Sequence, residues 1–133
     1  MKTINELTEK IVTFRDLRDW KQFHNPKDMA LSLMLEAGEV MEHFQWKDIS
    51  EMDEYIKTNS DDIGEELADV LYWVLLMSHD LKIDIFQSLQ KKLKKNELKY
   101  PVDKSKGKHS KYNQLGIDNI PIYKRRFFKR CTC

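Results

Sequence analysis

The chain has 133 residues, 41% hydrophobic and 34% charged, an ordinary balance for one soluble domain that can bury a core without disulfide staples. No apolar run approaches the ~20 residues of a membrane helix and "MKTINELTEK" lacks a signal-peptide core, so a cytoplasmic protein with no membrane partner is expected. Nine Lys/Arg against two Asp give residues from Val102 onward a net +7, which with +1 overall leaves −6 on residues 1–101 and argues against nucleic acid as a partner.

Thr3 and Glu6 have capping-box spacing, and Ile4, Leu7, Ile11, Phe14 and Leu17 behind them follow a helical period. Asn25, Pro26 and Asp28 supply an N-cap, a first-turn proline and a first-turn acid for a second helix, expected to reach about Trp46. Its apolar set is Leu33, Met34, Ala37, Val40, Met41 and Phe44. The polar stretch "KDISEMDEYIKTNSDD" reads as a short helix or a loop. A third long helix starts at Ser60, with Ile63, Leu67, Val70, Leu71, Val74, Leu75 and Leu81 as its stripe. Asp84 is placed to cap a further helix that stops before Pro101. No strand-like alternation, internal repeat or glycine-rich phosphate loop occurs. The expected fold is all-α, a helical bundle of four to five helices.

Two of these helices carry acids beside their apolar positions. Glu36 and Glu39, and again Glu66 and Asp69, are three residues apart and share a helix side. If the two helices pack antiparallel through their apolar stripes, four carboxylates converge. Bare, such a cluster repels itself; a hard divalent cation with oxygen ligands, Mg²⁺ with Mn²⁺ as substitute, removes that cost. The ordinary alternative is a solvated acidic face, which Glu42 extends. The standard ferritin-like di-iron pattern is excluded, because it needs Glu-x-x-His on two helices and the residues three before His43 and His79 are Val40 and Leu76. Cys131 and Cys133, the only cysteines, can neither staple the fold nor act as a buried nucleophile. Metal-assisted attack of water on a phosphoryl group, oriented by a carboxylate, fits this inventory best.

Trp20, Phe23, Trp46, Tyr72 and Trp73 lie near helix ends or near the acids, where a nucleobase can stack, although core packing is the favoured reading for any single ring. Trp73, four residues after Asp69, is the best placed of them. His24 can hydrogen-bond a base or sugar, or simply shape the entry to the second helix. Lys91, Lys92, Lys94, Lys95 and Lys99 make the last helix basic. The competing class is non-catalytic: a helical nucleotide-binding or protein-interaction module.

The segments "RDWKQFHNP", "EAGEVMEHFQWK", "EELADVLYW" and "KYPV" together resemble the all-α nucleoside triphosphate pyrophosphohydrolases of the MazG-like superfamily, in particular the dCTP pyrophosphatase branch. The resemblance runs from about Leu7 to Leu115 and includes "KYNQL". It implies hydrolysis of a deoxynucleoside triphosphate, dCTP or a modified dCTP favoured, to the monophosphate and pyrophosphate. It also implies Mg²⁺ on Glu36, Glu39, Glu66 and Asp69, and nucleotide contacts from Trp20, Lys21, Gln22, Phe23, His24, Trp46 and Trp73. Lys92 and Asn96 match positions associated with phosphate. The branch's familiar residue at Trp73 is tyrosine, and a first-helix histidine of some members corresponds to Ile11, which removes one polar contact. Members assemble as homodimers or homotetramers. A domain over 1–115 is therefore expected, followed by a basic, disordered tail over 116–133.

Overall fold

The structure is a computed structural model that describes residues 3–115. The expectations for 116–133, cysteines included, lie outside the described residues. Every regular element among the described residues is helical: α1 (Ile4–Asp16), a 3-10 turn (Trp20–Phe23), α2 (Pro26–Glu42), α3 (Ile49–Thr58), α4 (Ser60–Asp80), α5 (Ile85–Lys99), α6 (Val102–Ser105) and a second 3-10 turn (Tyr112–Gln114). The all-α reading is correct. The count of four to five is not: six α-helices occur among the described residues. The four-residue α6 is too short to show a period in sequence.

Local chemistry explains the boundaries. Thr3 N–H donates to Glu6 Oε2 at 2.7 Å and Glu6 N–H to Thr3 Oγ1 at 3.2 Å, a reciprocal box that starts α1. Asn25 Oδ1 accepts the N–H groups of Lys27 and Asp28, both at 3.1 Å, and Pro26 begins α2. Between them Asp19 takes φ 54°, a left-handed conformation that a short polar side chain tolerates, and this turns the chain into Trp20. The sequence places the end of α2 near Trp46, whereas it stops at Glu42. Asp48 caps α3 in extended conformation, with its carboxylate on the N–H groups of Ser50 and Glu51, so the chain must leave the helix beforehand.

The chain divides into two compact units, Met1–Phe86 and Gln87–Cys133. In the first, α2 and α4 are the principal packed pair, and α1 and α3 also lie against α4. Glu36 meets Trp73 while Glu39 meets Glu66, so α2 and α4 run antiparallel. Met29, Leu75 and Leu76 form the fully buried apolar centre, each contributing about 1.5–3 kcal/mol of burial. Arg15 is buried with them, at 0% exposure. Its Nη1 donates to Asp80 Oδ2 at 2.6 Å and its Nε to Asp16 Oδ1 at 2.8 Å, which ties α1 to the end of α4. Nη2 is also 2.8 Å from Asp16 Oδ1 but makes no aligned hydrogen bond.

Much of the predicted apolar stripe is not buried within one chain. Ile4, Leu7, Phe14 and Leu17 of the first segment and Met34 and Met41 of α2 are exposed, as are Leu31, Leu35, Leu67 and Leu71. Periodicity marks a face that prefers burial without saying what covers it. In the second unit, Tyr100 and Tyr112 meet edge-on at 6.2 Å, and Lys99 Nζ lies 5.0 Å from the Tyr112 ring. No helix among the described residues is long and apolar enough to cross a membrane.

Candidate metal and nucleotide site

The antiparallel α2/α4 pair brings the spaced acids together. Glu36 and Glu39 from α2 and Glu66 from α4 each offer a carboxylate oxygen, all within 4.8 Å of one another. Glu36 and Glu66 are half-buried and Glu39 is exposed. The Glu39 carboxyl is held above its ordinary range, chiefly by the charge of Glu66, then by burial, a hydrogen bond with Glu66, and the charges of Glu42 and Asp69. Unlike neighbours of opposite sign, these groups destabilise one another until a cation or a proton arrives. The donors are all oxygen, without histidine or thiolate, which fits a hard ion such as Mg²⁺ or Mn²⁺. Asp69 is not one of the three convergent carboxylates; it lines the adjoining cleft, and its charge still reaches Glu39.

That cleft has a volume of about 590 Å³, within the roughly 300–1,000 Å³ range of small-molecule sites. Glu36 and Asp69 give it an acidic end, and Trp20, His24, Tyr72 and Trp73 give it ring walls. The His24 and Trp73 ring centroids are 5.4 Å apart at 60°. Trp73 Nε1–H donates to Glu36 Oε1 at 3.3 Å, which joins the aromatic wall to the acid cluster. Trp20 meets Phe14 edge-on at 5.9 Å. His24 Nδ1 is buried without a hydrogen-bond partner. Burial raises the Tyr72 phenol above its ordinary range against the opposing charges of Arg15 and Arg18, so it remains a hydrogen-bond donor at neutral pH. A larger hollow of about 740 Å³ lies along α1, but only that helix and the turn after it line it, so no second element faces a ligand there.

Several expected contacts are not in this cleft. Gln22 Nε2 donates back to Asp19, to its carbonyl at 3.0 Å and its carboxylate at 2.8 Å. Lys21 is exposed, Phe23 is 66% exposed and Trp46 is 84% exposed, and none of them lines the cleft. Lys92, exposed, and Asn96, half-buried, belong to α5 in the second unit. Conversely, Lys10, Ile11 and Phe14 of α1 line the cleft and were not among the expected site residues. Ile11 and Phe14 read as core stripe, and an isolated lysine beside them carries no signal of its own.

Residues 31–115 match the model of the MazG-like family. Over 115 residues the chain is 33% identical to dCTP pyrophosphatase 1 of Mus musculus and 30% identical to dCTP pyrophosphatase 1 of Homo sapiens. Each alignment covers 85% of this chain and 68% of the relative. A solved pyrophosphatase from Archaeoglobus fulgidus matches the fold with a TM-score of 0.71 and 34% identity, over 76% of this chain and 94% of that one. With the family match spanning more than half of the chain and these relatives covering 76–85% of it, the chain belongs to the MazG-like family.

Proposed function

We propose that the chain hydrolyses a deoxynucleoside triphosphate, with dCTP or a modified dCTP favoured, to the monophosphate and pyrophosphate, dependent on Mg²⁺, as a nucleotide-pool cleaning enzyme of the cytoplasm. That it is a nucleoside triphosphate pyrophosphohydrolase follows from the family and the curated relatives. The base and the ion are the proposal. The observation that carries it is the junction between an all-oxygen acid cluster and a ring-walled cleft of nucleotide size.

In this reading Trp20, Trp73 and His24 hold the base, and Glu36, Glu39, Glu66 and Asp69 hold Mg²⁺. Bound there, the ion neutralises the acids and polarises the phosphoryl oxygens. Asp69, at the cleft's acidic end, is the carboxylate we assign to orient a water and accept its proton as it attacks the α-phosphorus. The bond to the β-phosphate oxygen breaks and pyrophosphate leaves. Lys92 and Asn96 remain candidates for phosphate contact, and Lys21, Gln22, Phe23 and Trp46 for contact with the nucleotide in the assembled enzyme.

Incubating the protein with dCTP and Mg²⁺ is expected to give dCMP and pyrophosphate, and chelation of the metal to stop the reaction. Release of orthophosphate with a diphosphate would mean attack at the γ-phosphorus and refute the proposal. Binding without turnover of any canonical or modified dNTP would favour a nucleotide sensor. Trp20→Ala is expected to raise KM several-fold with a smaller effect on kcat, because stacking serves ground and transition states alike. Lower thermal stability with unchanged KM would assign that ring to packing.

Assembly belongs to the same proposal. The exposed Leu31, Met34, Leu35 and Met41 on α2, with Leu67 and Leu71 on α4, leave large apolar surface in contact with solvent on the two principal helices. A homodimer or homotetramer covers it. Light scattering coupled to size exclusion tests this, and a monomer at micromolar concentration would refute it.

A further inference from the structure

In the proposed function Trp73 is a ring for the base, yet its indole nitrogen faces away from that task. Nε1–H donates to Glu36 Oε1 at 3.3 Å across the α2/α4 pair, from a half-buried ring to a half-buried carboxylate. Glu36 is also one of the three carboxylates whose oxygens converge within 4.8 Å. A free glutamate side chain samples many rotamers, and ordering it on a cation costs conformational entropy. A donor on one oxygen restricts that motion beforehand and leaves Oε2 with its full ligating capacity. Outer-shell donors of this kind commonly set the orientation and strength of the ligands they hold.

We propose that Trp73 is a positioning residue for the metal centre, its indole N–H holding Glu36 in a ligating orientation. The ring that stacks on the base thereby prepares one of the carboxylates that takes the cation. The inference rests on the metal-dependent reading of the site, and it adds a role that stacking alone does not require.

The test measures Mn²⁺ binding to the full chain without nucleotide, by the electron paramagnetic resonance signal of free Mn²⁺. Trp73→Phe keeps an aromatic face and loses the N–H, and is expected to bind Mn²⁺ about tenfold more weakly. Trp20→Phe alters a ring of the same cleft that makes no bond to Glu36, and is expected to leave Mn²⁺ affinity within about twofold. If Trp73→Phe binds Mn²⁺ as tightly as the wild type while losing affinity for nucleotide, Trp73 is a stacking ring only. The inference then falls and the pyrophosphohydrolase reading stands. If the wild type itself binds no Mn²⁺, the metal reading fails and the inference fails with it. A second measurement needs no substitution: on titrating the wild type with Mg²⁺, the indole N–H resonance of Trp73 should shift saturably, while that of the exposed Trp46 stays in place. A Trp73 resonance that does not move while Mg²⁺ binds overturns the proposal.

Discussion

Glu39→Gln is expected to lower kcat at least ~100-fold, the scale on which loss of a charged catalytic group usually shows. Glu39 offers one of the three convergent carboxylate oxygens, and its amide replacement keeps the shape while removing the charge a cation needs. Its folded carboxyl lies above the ordinary range, first because of Glu66, so its ionised form is disfavoured in the folded apo protein. The sign follows for stability. At neutral pH the charged group costs the fold something, and that cost disappears as pH falls through the raised value towards the unfolded one. The apo variant should therefore melt no lower than the wild type at pH 7, and it should lose most of the thermal stabilisation that added Mg²⁺ confers. Asp69→Asn offers the contrast. Asp69, which in the proposed site holds the ion from the cleft side and orients the water, lies outside the three-oxygen cluster, so the variant should lose a comparable factor in kcat and keep more of its Mn²⁺ affinity than Glu39→Gln does. Equal loss of metal binding in both variants would make Asp69 a ligand of the same rank as the other three. A Glu39→Gln enzyme with near-wild-type kcat would remove Glu39 from the site.

The acids were legible in sequence because helical spacing is rigid. Glu36 and Glu39 must share a side, Glu66 must sit on the partner helix, and an antiparallel pairing of apolar stripes then leaves little freedom. The caps at Thr3 and Asn25 were legible for the same reason: each satisfies a local hydrogen-bonding need. What surrounds the acids was less so. Ile11 and Phe14 repeat at core spacing and line the cleft instead, since periodicity identifies a side of a helix and not what lies opposite it. Trp46 continues the α2 pattern although α2 ends at Glu42, because no glycine or proline marks the stop and the signal lies downstream in the Asp48 cap. Lys21, Gln22, Phe23 and Trp46, to which the resemblance attaches nucleotide contacts, are all exposed in the single chain. Arg15 gave no warning at all. It stands between Phe14 and Asp16 like any helix-surface arginine, and its partner is 65 residues away.

That hidden pair sets the largest expected effect on stability. Asp80→Asn should destabilise the protein by about 3–5 kcal/mol, because it strands a fully buried guanidinium whose remaining carboxylate, Asp16, is 47% exposed. For a chain of this size the melting temperature should fall by roughly 10 °C or more. Burial alone would push the Asp80 carboxyl upward, but hydrogen bonds from Arg15 and His79 and the charge of Arg15 outweigh it and hold the group below the usual range. A depressed carboxyl contributes stability that is complete above the unfolded range and is lost as pH falls through the folded value. The gap between wild type and variant should accordingly be constant around neutrality and close only in acid, once Asp80 is protonated in both states. The double variant Arg15→Met with Asp80→Leu removes both charges and should recover most of the loss, since an apolar pair of similar volume replaces an ion pair at little cost. The cleft reports on the same contact: Arg15 ties to α4 the helix that carries Ile11 and Phe14, so Asp80→Asn should raise KM for the nucleotide even well below its melting temperature. A variant that melts within about 1 kcal/mol of the wild type would show that Asp16 alone satisfies Arg15, and that α1 is held by its apolar contacts instead.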